Sequence, residues 1–562
     1  MTNIWPAMSI AQAHALLTAP GAMFEMETVD IRGHPTRTWK NAPASLQHSF
    51  AFGRSHGEKI FLVHEAERVS FEAFARAAIH LAAHFRMLGI MQGDRVAIVM
   101  RNLPEWPVAF YAAALVGAII TPLNAWWTGA ELEYGLTDSG AKLLVADAER
   151  WQRIQPHRSA IPMLKHILIA RGDGSLEAII GKPERWANLP DAPTPEPFLH
   201  PEDDATIFYT SGTTGKPKGA LGTQRNISSN IFSSASSSAR SFLRRGEMPP
   251  LPDPAAPQKS ILLSVPFFHA TGSHAVMNPA LFAGMKLVMQ RKFDAGEALA
   301  LIARERITSA GGVPTIAWQL LTHPDREKHD ISCLETISYG GAPSAPELVR
   351  QIGMAGPAPG NGWGMTETSA TFSQHGGEDY LNRPESAGPP VAVCEAQVRD
   401  PQGNVLPADT VGELYGFGPN IVKAYWNMPD ATRDTFPDGW VRTGDLARID
   451  AEGFITIVDR AKDMLIRGGE NIYCVEVEAA LCEHPCLMDA ALVGRPHLVL
   501  GEEPVAFVSL KPGMQVESEA LRAFVRERLA AFKVPVDIHI RDEPLPRNAN
   551  GKIVKTELKA LL

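Results

Sequence analysis

The sequence predicts an α/β protein with helix-covered, largely parallel sheets, a later antiparallel or barrel-like part and a small C-terminal unit. Two observations predict this. Short runs that are apolar on both faces recur with helical patterns between them: RVAIVM (95–100), KLLVAD (142–147), HILIA (166–170), SILLSV (260–265), MKLVMQ (285–290) and TISYGG (336–341). Such strands are buried on both sides, the mark of parallel sheets under helices. After about residue 385 the texture changes to short strands and Gly/Pro/Asp turns, as in VRDPQGNVLP and VGELYGFGP, which predicts antiparallel pairing.

The last hundred residues form their own unit. ITIVDR leads into a charged turn; DAALVG and PVAFVSL read as strands; Leu521, Phe524, Val525, Leu529 and Phe532 lie on one helical face. This places a boundary near Arg460. The segment 226–258, Ser-rich and then Pro-rich, predicts a helix end and a surface loop. From Trp106 to Ala130 there is no charge, a length that could span a bilayer. Pro107, Gly117 and Pro122 interrupt it, so the run predicts a buried helix (about 108–116), a glycine turn and a buried strand ending at Pro122, not a transmembrane segment.

Composition fits a globular protein: 562 residues, 45% hydrophobic and 20% charged. A net charge of −9 argues against coating nucleic acid or an anionic membrane. Five cysteines imply no disulfide framework, and MTNIWPAMSIAQAHALL has no basic n-region before an apolar core, so a cytoplasmic setting is expected. Cys482, His484 and Cys486 lack common zinc spacing and are expected to be structural.

YTSGTTGKPKGA (209–220) does not read as packing. Its twelve positions hold four serine or threonine hydroxyls, three glycines and two lysines. A strand, ATIFYT, runs straight into it. Glycines let backbone N–H groups turn toward one point, hydroxyls add donors and lysine adds charge, which describes a phosphate cradle. It is not a Walker loop. Five residues beyond Gly212 stands Pro217 where glycine is required, and Pro217 also follows Lys216 where Ser or Thr would meet the metal.

YTSGTTGKPKG resembles the phosphate-binding signature of the adenylate-forming superfamily, which includes acyl- and aryl-CoA synthetases. Other segments are similar to that family's motifs, in its order: YGGAP (339–343), GWGMTET (362–368), WVRTGDLA (440–447), DRAKDMLIRGGENIYCVEVE (459–478) and PRNANGKIVK (546–555). Residues 1–200 resemble it more loosely. The resemblance implies a large N-terminal AMP-binding domain (1–460) of two helix-covered, mostly parallel sheets plus a small β-barrel-like subdomain. A small mobile α+β C-terminal domain (461–562) follows, hinged near Lys462.

It also implies two half-reactions. A carboxylic acid and ATP give acyl-AMP and pyrophosphate; coenzyme A then displaces AMP to form a thioester. ATP contacts are carried onto Thr210, Ser211, Gly212, Thr213, Thr214, Gly215, Lys218, Gly340, Gly341, Ala342, Thr366, Asp445 and Arg460. Glu367, with Thr210, is implied for Mg²⁺, Asp445 for both ribose hydroxyls, and Lys552 for stabilising charge at the α-phosphate. Rotation about Lys462 would replace Lys552 by the GGEN region, where Gly468 and Gly469 let the coenzyme A thiol pass.

For the acyl pocket the resemblance implies Phe267, His269, Trp363 and Gly364, with His269 gating the carboxylate. Acetate-specific members have tryptophan where Gly364 stands, so glycine is expected to leave room. No aspartate lies in 266–274 to pair an amine, which disfavours an amino acid. The expectation is a medium- or long-chain fatty acid or an aryl-alkanoic acid. A carrier-protein acceptor and a non-catalytic nucleotide-binding homologue remain open alternatives, and a homodimer is compatible.

Overall fold

The computed structural model describes residues 5–195, 197–210, 216–251, 253, 255–341, 346–468, 470–548 and 551–562. Two large sheets form first. One has seven strands in the spatial order 424–425, 219–223, 204–209, 119–122, 95–99, 143–147, 166–170. Its interior pairs are parallel, and 219–223 turns back antiparallel on Asp204–Tyr209. The other has eight strands, in the order 373–376, 358–363, 336–340, 309–312, 260–263, 286–289, 60–64, 67–70. It is parallel except at its two edges. Valine, isoleucine and leucine dominate strands such as Arg95–Val99, Leu143–Asp147, Ser260–Leu263 and Lys286–Met289 because both faces are covered.

The helices Phe71–Met87 and Glu105–Leu115 share one apolar core with residues of both sheets, including Ile98, Leu62 and Leu287. Every residue of Glu105–Leu115 is buried, which explains its lack of an apolar stripe. Its one charge, Glu105, is held by Arg171 at 2.9 Å. Gly117, at φ +74°, makes the turn into strand Ile119–Pro122. Among the described residues no helix is long and apolar enough to cross a membrane.

The Ser-rich segment differs from expectation. It is the body of a 21-residue helix, Gln224–Arg244, with most of its serines buried. Small side chains let it pack closely, and Ser233 and Ser241 return their hydroxyls to carbonyls four residues earlier. The barrel-like part is in detail a four-stranded antiparallel sheet ordered 395–399, 412–417, 441–449, 455–460. The C-terminal segment has its own cores around Leu492, Phe507, Val525 and Leu558. Its sheet pairs Leu487–His497 with Gly501–Leu510, onto which Asp537–Arg541 adds parallel.

Candidate active site

The carboxyl ends of parallel strands are where an open α/β sheet leaves a crevice. Here both large sheets leave one. Thr210 follows strand Asp204–Tyr209, Ser264 follows Ser260–Leu263, Gly340 and Gly341 close Thr336–Gly340, and Gly364 follows Ala358–Trp363. These ends line a cleft of about 1270 Å³, which the small domain completes with Arg547, Asn548, Gly551 and Lys552.

Ser211, Gly212, Thr213, Thr214 and Gly215 lie outside the described residues, as do Ala342 and Gly469. The base of the 210–218 loop is described. Thr210 N–H donates to Lys218 O at 2.9 Å, so the loop hangs from a strand hairpin. Tyr134 O–H donates to Pro217 O at 3.0 Å and braces it from the helix Gly129–Ser139.

Glu367 sits on a short 3₁₀ turn, Thr366–Thr368, and is 6% exposed. Tyr425 O–H donates to its Oε1 at 2.5 Å. Its other oxygen has no protein donor among the described residues, and no cluster of three or more His, Cys, Asp or Glu is found among them that could hold a metal. A single protein carboxylate fits Mg²⁺, which usually keeps several waters and takes only one or two protein carboxylates.

Asp445 is buried in strand Val441–Ile449. Trp363 Nε1–H donates to Oδ2 at 2.9 Å. Arg460 Nε lies 2.7 Å from Oδ1, but as an ion pair off the hydrogen-bond line, so Oδ1 keeps its accepting capacity. Lys552 is presented by a hairpin. Its N–H donates to Asn548 Oδ1 at 3.0 Å, its carbonyl accepts Asn548 N–H at 2.9 Å, and Val554 N–H closes onto Pro546 O. Gly551 is required here: φ is +73°, and a Cβ would lie 2.9 Å from Val313 Cγ2. Burial pulls the Lys552 amine down to about 8, with Arg460 acting the same way and Asp445 and Glu367 opposing.

His269 lies in the same cleft. Burial, then the Lys552 cation, pushes its imidazole down to about 3, so it is neutral. Its Nε2 is buried with no hydrogen-bond partner among the described residues. Lys462 lines the cleft and burial lowers its amine, whereas Gly468 turns at φ +61° in a hairpin that does not line it.

Three pocket assignments change. Phe267 is core: it stacks on Trp106 at 4.9 Å, and its N–H is held by Asn102 Oδ1 at 2.9 Å. Phe268, its neighbour, lines the cleft, as does Phe293. Trp363 packs edge-on against Phe372 and spends its N–H on the buried Asp445 carboxylate rather than lining the cleft. Gly364 lines the cleft but opens no space. A Cβ there would fall 1.5 Å from Ala370 O, because the chain reverses tightly over Met365–Ala370. Sequence reading missed Tyr425 and Asn548. The asparagine had a usable signal, since Asn548 stands three residues before Gly551, and both residue types favour turns.

The model of the AMP-binding enzyme family matches residues 50–426, well over half of the chain. The chain belongs to the AMP-binding enzymes. The C-terminal domain model of the same family matches residues 476–552. This AMP-binding enzyme is 32% identical over 496 residues to a feruloyl-CoA synthase of an Amycolatopsis species, covering 88% of this chain and 94% of that one. It is 32% identical over 520 residues to a long-chain-fatty-acid–CoA ligase of Bacillus subtilis, covering 88% and 90%. Its fold is similar to that of o-succinylbenzoate coenzyme A synthetase from Bacillus subtilis in complex with ATP and magnesium ion. The TM-score is 0.75 and the identity 28%, over 91% of this chain and 99% of that one.

Proposed function

We propose that this chain is an AMP-forming acid–thiol ligase that activates a hydrophobic carboxylic acid with ATP and passes the acyl group to coenzyme A. The observation that carries this is the meeting of Lys552, from the small domain, with Glu367 and His269 in one cleft, with the buried Asp445 within electrostatic reach of the lysine. A carboxylate is a poor electrophile, and the adenylate gives it a leaving group. A carboxylate oxygen attacks the α-phosphorus, and the bond to the bridging oxygen of pyrophosphate breaks. Lys552 stands where a cation stabilises the charge that builds on the α-phosphate. Thr210 and Lys218, with the loop between them, hold the departing pyrophosphate. Glu367 would hold Mg²⁺, which when bound neutralises phosphate oxygens. Asp445 accepts the ribose hydroxyls. The unpartnered Nε2 of neutral His269 is available to the substrate carboxylate.

In the second half-reaction the thiol sulfur attacks the acyl carbonyl carbon and AMP leaves with the electron pair. The small domain (461–562) turns about Lys462 to exchange Lys552 for the Gly468 hairpin. The acid is fatty or aryl-alkanoic: Phe268, Val313 and Ile316 supply apolar wall beside His269, and no carboxylate stands among them. A cytoplasmic setting suits the five free thiols.

The test is incubation with ATP, Mg²⁺, coenzyme A and a panel running from acetate through long fatty acids to phenyl-alkanoic and cinnamic-type acids. AMP and a thioester of a hydrophobic acid are expected, with acetate poor. AMP without thioester would replace coenzyme A by a carrier protein. No AMP from any acid would overturn the ligase reading.

A further inference from the structure

Three segments meet behind the phosphate loop. Lys218 ends the loop and leads into strand Gly219–Thr223. Glu367 comes from the turn after strand Ala358–Trp363. Tyr425 comes from the edge strand Ala424–Tyr425, which pairs antiparallel with the Lys218 hairpin at Ala220. Trp426 N–H to Gly219 O (2.7 Å) and Val422 N–H to Glu367 O (3.0 Å) tie the edge strand to both neighbours.

Tyr425 is only 6% exposed and touches both charged groups. Its phenol donates to Glu367 Oε1 at 2.5 Å, and its ring lies under Lys218, whose Nζ is 4.9 Å from the centroid. Phe436 packs against the ring at 5.5 Å and fixes it. A half-buried lysine beside a buried carboxylate would ordinarily close into an ion pair, since a low-dielectric setting strengthens their attraction. Among the described residues, neither Lys218 nor Glu367 forms one. The tyrosine engages both, offering a π face to the cation and a hydrogen to the anion.

We propose that Tyr425 is a positioning residue that keeps Lys218 and Glu367 apart, so that the lysine stays available to phosphate and the carboxylate to Mg²⁺. The inference rests on reading Glu367 as the metal carboxylate. With Oε1 engaged by the phenol, Oε2 is the freer oxygen to bind. Without the phenol, the carboxylate is free to turn to Lys218, and both charges are withdrawn from the nucleotide. Partners that orient a metal-binding group typically hold about 10–100-fold in metal affinity.

The experiment compares Tyr425→Phe and Glu367→Gln with the unaltered enzyme. Tyr425→Phe keeps the ring, and therefore the packing and the Lys218 contact, and removes only the hydroxyl. Mn²⁺ binding to the enzyme–ATP complex is followed by electron paramagnetic resonance, a readout that needs no turnover. The expected result is a Kd about tenfold or more higher in Tyr425→Phe. Excess Mg²⁺ restores its pyrophosphate release, and acyl transfer from supplied acyl-adenylate to coenzyme A is unchanged. Unaltered Mn²⁺ affinity in Tyr425→Phe, with weakened binding in Glu367→Gln, overturns the role of Tyr425 alone. Unaltered affinity in both variants overturns the metal reading and this inference with it. Equal loss of both half-reactions, not rescued by Mg²⁺, would make Tyr425 a packing residue and also overturn the proposal.

Discussion

Replacing Lys552 by alanine should separate the two half-reactions. The lysine backbone is fixed at both ends of its hairpin, by Asn548 and by Pro546–Val554, so truncating the side chain leaves the loop intact. What is lost is one preorganised cation within electrostatic reach of Asp445 and Glu367. Removing a single transition-state donor of this kind costs about 10²–10³ in rate, or roughly 3–4 kcal/mol. Pyrophosphate release should fall by that factor, while thioester formation from supplied acyl-adenylate stays near normal. The pH profile gives a second handle. The protonated amine is the active form, and burial brings it down to about 8. Adenylation kcat/KM should therefore be flat below that pH and fall as pH rises through it, about tenfold per unit. A lysine with the ordinary value of about 10.4 would place that limb two units higher. His269 is neutral at every working pH and adds no limb near 6–7. Near-normal pyrophosphate release in Lys552→Ala, or an unchanged alkaline limb in that variant, would refute the reasoning.

Two further substitutions test the geometry. Lys462 lies in a turn whose bonds run from Asp463 and Met464 to Arg460 O, and its own N–H makes no backbone bond among the described residues. Lys462→Pro therefore deletes no hydrogen bond of this arrangement but restricts rotation there; adenylation should survive while thioester formation is lost, and equal loss of both would argue against a hinge. Gly364→Ala drives a Cβ into Ala370 O and must displace the turn that carries Thr366 and Glu367. Overpacking of this sort costs about 1–3 kcal/mol, so the melting temperature and pyrophosphate release should both drop; an unchanged melting temperature with an altered acid preference would make Gly364 a pocket residue after all.

The parts of the site legible in the sequence are those where local backbone chemistry dictates residue type. A loop that packs against Val313 at positive φ needs Gly551, so the Lys552 turn is written as a short string. The strand–helix alternation was legible for the same reason: a strand buried on both faces must be apolar at every position. What depends on a one-residue rotation was not. Phe267 and Phe268 are identical in kind, and only the anchoring of Phe267 N–H by Asn102, 165 residues away, decides which ring meets the cleft. Tyr425 reaches Glu367 across 58 residues through an edge strand of two residues, too short to leave a periodic signal. The serines of Gln224–Arg244 read as a fraying end because serine favours caps and turns, yet tertiary burial overrides that preference.

The position of Lys552 has a consequence for the second half-reaction. The cleft lined by Glu367 is lined also by Arg547, Asn548, Gly551 and Lys552, and the Lys552 chain reaches within 3.8 Å of where a side chain on Gly341 would stand. A thiol approaching the adenylate from that side meets a cation and a loop. The other end of the small domain offers a different surface. Gly468 N–H binds Leu500 O at 2.8 Å, so its hairpin lies against the turn that carries the exposed apolar side chains of Leu498 and Val499, with Ile466 half-exposed nearby. An apolar tip is held in water at a cost of about 25 cal/mol for each Å² left exposed. Turning the domain to bring Gly468 toward the cleft would carry that tip toward the large domain, and its burial would offset part of the loss of the Lys552 contacts. On the proposed rotation, the two ends of one small domain would supply opposed surfaces, one for building the adenylate and one for breaking it.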